Sequence, residues 1–203
     1  MARLSRLALL IGAFAAGYVQ LPDGTAASST QASVFLIGDS LSVGTSWYLP
    51  EILPREQVRI DARVDRRLAE GLAVLRARRA SLPSVIAVSL GTNDDPSRVS
   101  RFRVGIREVV RLAGPSRCVI WATVSRPPFH GISYAGYNRA LRREAARNPL
   151  FLLVDWAEMI ARNPRLLRPD HVHGSTIAYQ QRARATARAI RGCQTRLQTL
   201  AKA

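Results

Sequence analysis

Lysine is almost absent from this 203-residue chain: Lys202 stands alone, and the other basic residues are arginines. Histidine occurs three times, at His130, His171 and His173. That leaves few candidates for a general base. His171 and His173 lie beside a single acid with no third ligand in the pattern, so no metal centre is expected. Long apolar runs are missing too. Leu7–Val19 is short for a membrane span, and no second segment is long enough to cross a bilayer. There are no internal repeats. The arginines form no dense run and are not interleaved with aromatics, so nucleic-acid binding is not expected despite the net charge of +16.

What is present describes a globular chain. Hydrophobic residues make up 47%, enough for a real core, and a charged fraction of 22% excludes a disordered polymer. The length suits one domain or little more. Residues 1–27 read as a signal peptide: Arg3 and Arg6 form a basic start, Leu7–Val19 the apolar run, and Gly24-Thr25-Ala26-Ala27 the small residues for cleavage. An uncleaved anchor is the competing reading. Residues 28–32 form a short polar lead-in, and residues 194–203 a C-terminal tail.

Between them, over 33–193, strand and helix patterns alternate. Ser33–Ile37, Val58–Ala62, Val85–Leu90, Cys118–Val124 and Phe151–Asp155 read as strands. Helices are predicted from Ser42 to Tyr48, stopped by Pro50, and over Arg67–Arg79, Arg98–Leu112, Tyr134–Asn148, Trp156–Arg162 and Ser175–Arg191, the last capped by Gly192. This alternation predicts an α/β fold, three layers α/β/α around a five-stranded parallel sheet. Right-handed crossovers bring every strand-to-helix loop to one edge. Ser40, Asn93, the loop after the fourth strand and the segment before the last helix therefore converge there.

Val34-Phe35-Leu36-Ile37 followed at once by Gly38-Asp39-Ser40 places a serine at the carboxyl end of a buried strand. Gly38 permits a sharp turn, and Asp39 suits a helix start. A plain helix cap is the alternative for Ser40. His173 can serve as the base that a serine nucleophile needs, and Asp170, three residues earlier, can orient its ring.

Three blocks, Gly38-Asp39-Ser40-Leu41, Gly91-Thr92-Asn93-Asp94 and Asp170-x-x-His173, resemble in order and spacing the SGNH, or GDSL-type, hydrolases over roughly Ser33 to Gly192. The resemblance implies a flavodoxin-like strand order, 2-1-3-4-5. It also implies a catalytic set of Ser40, Asp170 and His173, with His173 rather than His171 as base. The oxyanion donors it implies are the Ser40 backbone N–H, the Asn93 side-chain amide and a third backbone N–H, where this chain has Asp65 in place of the usual glycine. A carboxylate there disfavours an oxyanion unless it points away or pairs with Arg66 or Arg67. No cofactor is implied. The second half, through Cys118-Val119-Ile120-Trp121 and Val154-Asp155-Trp156, is also similar to the SGNH domain of bacterial cell-wall O-acetyltransferases.

Ser125–Tyr137 holds Phe129, Tyr134 and Tyr137, which either line a substrate cleft or pack among themselves. For the cysteines, topology suggests a bond. Cys118 opens the fourth strand at the amino edge. The last helix, starting at the other edge, is about 26 Å long at about 1.5 Å per residue, enough to bring Cys193 beside Cys118. A Cys118–Cys193 disulfide is therefore expected, and it suits an exported chain. The expected protein is a secreted or cell-envelope bacterial serine esterase acting on a small ester or an acylated glycan. Its basic surface suits an anionic cell wall or membrane. O-acetyltransfer to cell-wall glycan and a catalytically silent wall-binding module are the alternatives.

Overall fold

The computed structural model describes residues 33–202. The signal peptide and lead-in expected over 1–32 lie outside the described residues. Strand β1 (Ser33–Gly38) is an interior strand of a sheet with β2 (Gln57–Ala62), β3 (Val85–Ser89), β4 (Cys118–Ala122) and β5 (Phe151–Val154). All pairings are parallel, and the order is β2-β1-β3-β4-β5. The doubly covered α/β architecture and the 2-1-3-4-5 order are thus those expected.

The apolar run of β1 is explained by its two faces. Phe35 and Ile37 point into a core with Leu68, Leu72 and Leu75 of α3 (Leu68–Ala77), Phe102, Ile106 and Val109 of α4 (Val99–Ala113), and Tyr137 and Leu141 of α5 (Ala135–Arg147). Val34 and Leu36 point the other way, toward Leu49 of α2 (Leu49–Ile52) and Ala183, Ala187 and Ile190 of α7 (Thr176–Leu200). Successive residues of a strand face opposite sides, so a strand buried on both is apolar throughout. A third, smaller cluster joins Leu41 of α1 (Ser40–Ser46) to Trp156 and Ile160 of α6 (Trp156–Arg162) and to Ala178 and Tyr179 of α7.

Most element ends shift by a few residues from the sequence reading, and two of the differences have a clear physical cause. Pro50 does not stop a helix; it sits in the first turn of α2, where its missing N–H costs nothing. Gly192 does not cap α7, and residues expected as tail continue the helix through Leu200. Two contacts carry the helix past the glycine. Buried Cys193 is disulfide-bonded to Cys118, with the Cα atoms 5.6 Å apart, and Leu197 packs on the core behind it. The bond ties the amino end of β4 to a late turn of α7, far along that helix from its start at Thr176. Among the described residues no helix is long and apolar enough to cross a membrane.

Candidate active site

β1 ends in Gly38, whose backbone must pass close to the next turn: a Cβ there would lie 1.9 Å from Ser42 Oγ. Asp39 then caps α1, its Oδ1 accepting from the Leu41 N–H at 3.0 Å. Ser40 becomes the first residue of the helix, where backbone N–H groups lack intrahelical partners. Asp39 is fully buried, and burial raises its carboxyl above the usual range, against the lowering influence of the Arg182 charge.

The last block folds as a tight turn held at several points. Arg168 N–H donates to His173 O at 2.8 Å, and Ser175 N–H donates to Leu166 O at 2.8 Å. Inside it, Asp170 Oδ1 accepts from the N–H groups of Val172 and His173, both at 2.9 Å, and Oδ2 lies 2.7 Å from His173 Nδ1. The Val172 N–H, then the His173 ring and N–H, hold the Asp170 carboxyl well below its ordinary value. With Nδ1–H donated to this carboxylate, His173 Nε2 is an acceptor, and it stands 3.0 Å from Ser40 Oγ. His171 takes no part. It is exposed, its backbone has φ 56°, and its N–H closes the turn onto Arg168 O.

The third loop begins at Gly91, whose φ of 117° favours glycine. Asn93 follows, half-buried, with Nδ2 donating to Arg66 O at 3.3 Å and Oδ1 accepting from Arg126 at 3.1 Å. Asp94 accepts from the Leu68 N–H at 2.9 Å and so caps α3 from a distance. Burial lifts its carboxyl above the ordinary range.

Asp65 lies in the loop between β2 and α3, exposed, with φ 59°. The left-handed conformation that suits glycine is retained there, and aspartate is among the residues that tolerate it. Of the alternatives left open for its carboxylate, pairing with Arg66 is not found: buried Arg66 bonds Asp61 instead, Nη2 to Oδ1 at 2.5 Å.

Tyr134 and Tyr137 do not line a cleft. Tyr137 is buried and stacked on Phe102 with ring centroids 3.9 Å apart, and its hydroxyl donates to Asp95 O at 2.6 Å. The Tyr134 hydroxyl bonds Thr92 O and Asp94 O. Both therefore pin the Asn93 loop from below. Of Phe129, Tyr134 and Tyr137, only Phe129, paired with Ile132 in a small hairpin, stays exposed.

Two arginines at the site carried no recognised role in the sequence. Arg126 follows the fourth strand and reaches Asn93. Arg182 is wholly buried on the alanine face of α7, donating to Ser89 Oγ at 2.7 Å with its guanidinium 4.8 Å from the Trp156 ring. Burial pushes it down to about 10, against the opposing charge of Asp39. Its signal was a charge set four residues after buried Ala178 and four before buried Thr186. Among the described residues, no group of three or more His, Cys, Asp or Glu side chains gathers in a way that could hold a metal ion.

No protein-family model and no curated protein matches the chain. Solved structures do. The C-terminal catalytic domain of Streptococcus pneumoniae peptidoglycan O-acetyltransferase A superposes with a TM-score of 0.69 at 20% identity, over 80% of this chain and 94% of that one. A lipolytic protein of the G-D-S-L family from Veillonella parvula gives 0.66 at 13% identity, over 77% and 96%. This chain has the SGNH hydrolase fold. A third structure with likeness to this SGNH fold is a family 3 carbohydrate esterase from Clostridium thermocellum, at 0.62 and 14% identity, over 79% and 97%.

Proposed function

We propose that the protein is an exported serine esterase, cleaving small acyl esters, with O-acetyl groups on carbohydrate as the favoured substrate class. The observation that carries this reading is the continuous path from Ser40 Oγ through the His173 ring to Asp170. In it, His173 Nε2 takes the Ser40 proton as Oγ attacks the ester carbonyl. Asp170, ionised, keeps the proton on Nδ1 and balances the imidazolium that forms. The tetrahedral oxyanion is held by the Ser40 N–H and the Asn93 amide, with the Asp65 N–H as third donor. His173 then returns the proton to the departing alcohol, leaving an acyl-serine. Water, activated by the same imidazole, releases the acid.

The side chains of Asp170 and His173 are 49% and 37% exposed, so a bulky alcohol moiety such as a glycan has access. A sugar hydroxyl in place of water would make the same acyl-serine an O-acetyltransferase intermediate. The likeness to a peptidoglycan O-acetyltransferase domain favours keeping that second reading. Export is supported by the Cys118–Cys193 disulfide, since such bonds persist outside the reducing cytosol. The excess of arginine suits an anionic wall or lipid surface.

A chromogenic acetyl ester tests the reading, with Ser40→Ala as control. Turnover that disappears in the variant supports it; equal turnover in both rejects it. Adding an acceptor glycan then tells transfer from hydrolysis by where the acetyl group ends.

A further inference from the structure

An asparagine amide works as an oxyanion donor only one way round. Oδ1 and Nδ2 are nearly alike in shape, and a half-turn exchanges them. At Asn93 two neighbours discriminate between the orientations. Nη1 of Arg126 donates to Oδ1 at 3.1 Å, and the carbonyl of Arg66 accepts from Nδ2 at 3.3 Å. A guanidinium offers only donors, and a carbonyl is only an acceptor. Flipping the amide would set N–H against N–H on one side and oxygen against oxygen on the other. Two hydrogen bonds would become two repulsions. The same Nη1 donates to Thr92 O at 2.7 Å, so the guanidinium is anchored to the turn whose side chain it orients. Arg66 O engages one of the two Nδ2 hydrogens, which leaves the second for an oxyanion.

We infer that Arg126 is the positioning residue of the oxyanion hole, locking the Asn93 amide with its nitrogen toward the reacting carbonyl. The inference rests on reading Asn93 as an oxyanion donor. It differs from a plain loop tether. A tether acts whether or not residue 93 carries an amide, whereas an orienting residue loses its effect once the amide is gone.

The test is steady-state kinetics on a chromogenic acetyl ester with Arg126→Ala, Arg126→Lys, Arg126→Gln, Asn93→Ala and the double variant Arg126→Ala/Asn93→Ala. Thermal melts identify the folded variants. Arg126→Ala is expected to lower kcat by roughly 10- to 100-fold with KM little changed, a fraction of the loss when a donor is removed outright. Arg126→Lys, still a pure donor, should retain more turnover than Arg126→Gln, whose amide can face Oδ1 either way. If Arg126→Ala does not fold, the Lys and Gln pair carries the comparison. The double variant should be no slower than Asn93→Ala. The inference is overturned if Arg126 variants keep full kcat while Asn93→Ala is impaired, if Gln equals Lys, or if the two losses multiply. Full activity of Asn93→Ala would overturn the donor reading beneath it, a different result from any of these.

Discussion

His173 Nε2 and Ser40 Oγ stand 3.0 Å apart although 133 positions separate them in the chain. Two independent local structures produce the contact. The glycine turn at Gly38 puts Ser40 just past the carboxyl end of the interior strand β1. The stapled turn between Leu166 and Ser175 presents His173 just ahead of α7. The sheet order brings both to one edge.

This contact separates the two neighbouring histidines. His173→Ala is expected to lower kcat by on the order of 10³-fold or more, while His171→Ala leaves it nearly unchanged. Side-by-side kinetics of the purified variants check this. Equal losses, or the reverse order, would overturn the assignment of His173 as the base.

Asn93→Ala should reduce kcat by about 10²- to 10³-fold with a smaller change in KM, as expected for a donor used mainly in the transition state. A raised KM at unchanged kcat would instead mark Asn93 as a ground-state contact.

The Cys118–Cys193 bond lies away from the catalytic edge and spans 75 positions of sequence. By the loop-entropy account, closure of that length stabilises by about 4 kcal/mol. Reduction is expected to lower the melting temperature clearly while leaving room-temperature turnover of the still-folded enzyme largely intact. Melting and activity curves recorded with and without reductant test this. Activity lost well before unfolding would contradict it.

Asp170 gives a pH dependence of stability. Its carboxyl is held below the ordinary value, so folding favours the ionised form. The contribution is fully present above the unfolded-state value of about 3.9. It is lost as pH falls through the lower folded-state value. The side chain is half exposed, so the effect is small. Wild type should melt above Asp170→Asn at neutral pH, and the gap should shrink below about pH 4. A gap that widens on acidification would contradict the assignment.

The frame was legible because its signals are local. Val34–Ile37 and Val85–Leu90 are apolar runs of strand length with turn residues after them, and strand–helix alternation fixes a parallel sheet. Gly192 misled because local propensity favours a helix stop there, whereas Cys193 and Leu197 bury surface beyond it. The aromatics after β4 were ambiguous for a related reason. The composition of Ser125–Tyr137 does not distinguish a cleft lining from a scaffold. Only the stacking of Tyr137 on Phe102, across two helices, does so. Arg126 and Arg182 were hidden among many arginines, and their partners Asn93, Asp39 and Ser89 are distant in sequence.

The central claim is that Ser40 becomes covalently acylated. The most direct measurement is intact-protein and peptide mass spectrometry after treatment with a sulfonyl fluoride, run beside Ser40→Ala. The account expects one sulfonyl group per chain, on the peptide containing Ser40, with ester turnover falling in proportion and no labelling of the variant. Labelling at another residue, or full ester turnover in Ser40→Ala, would contradict it.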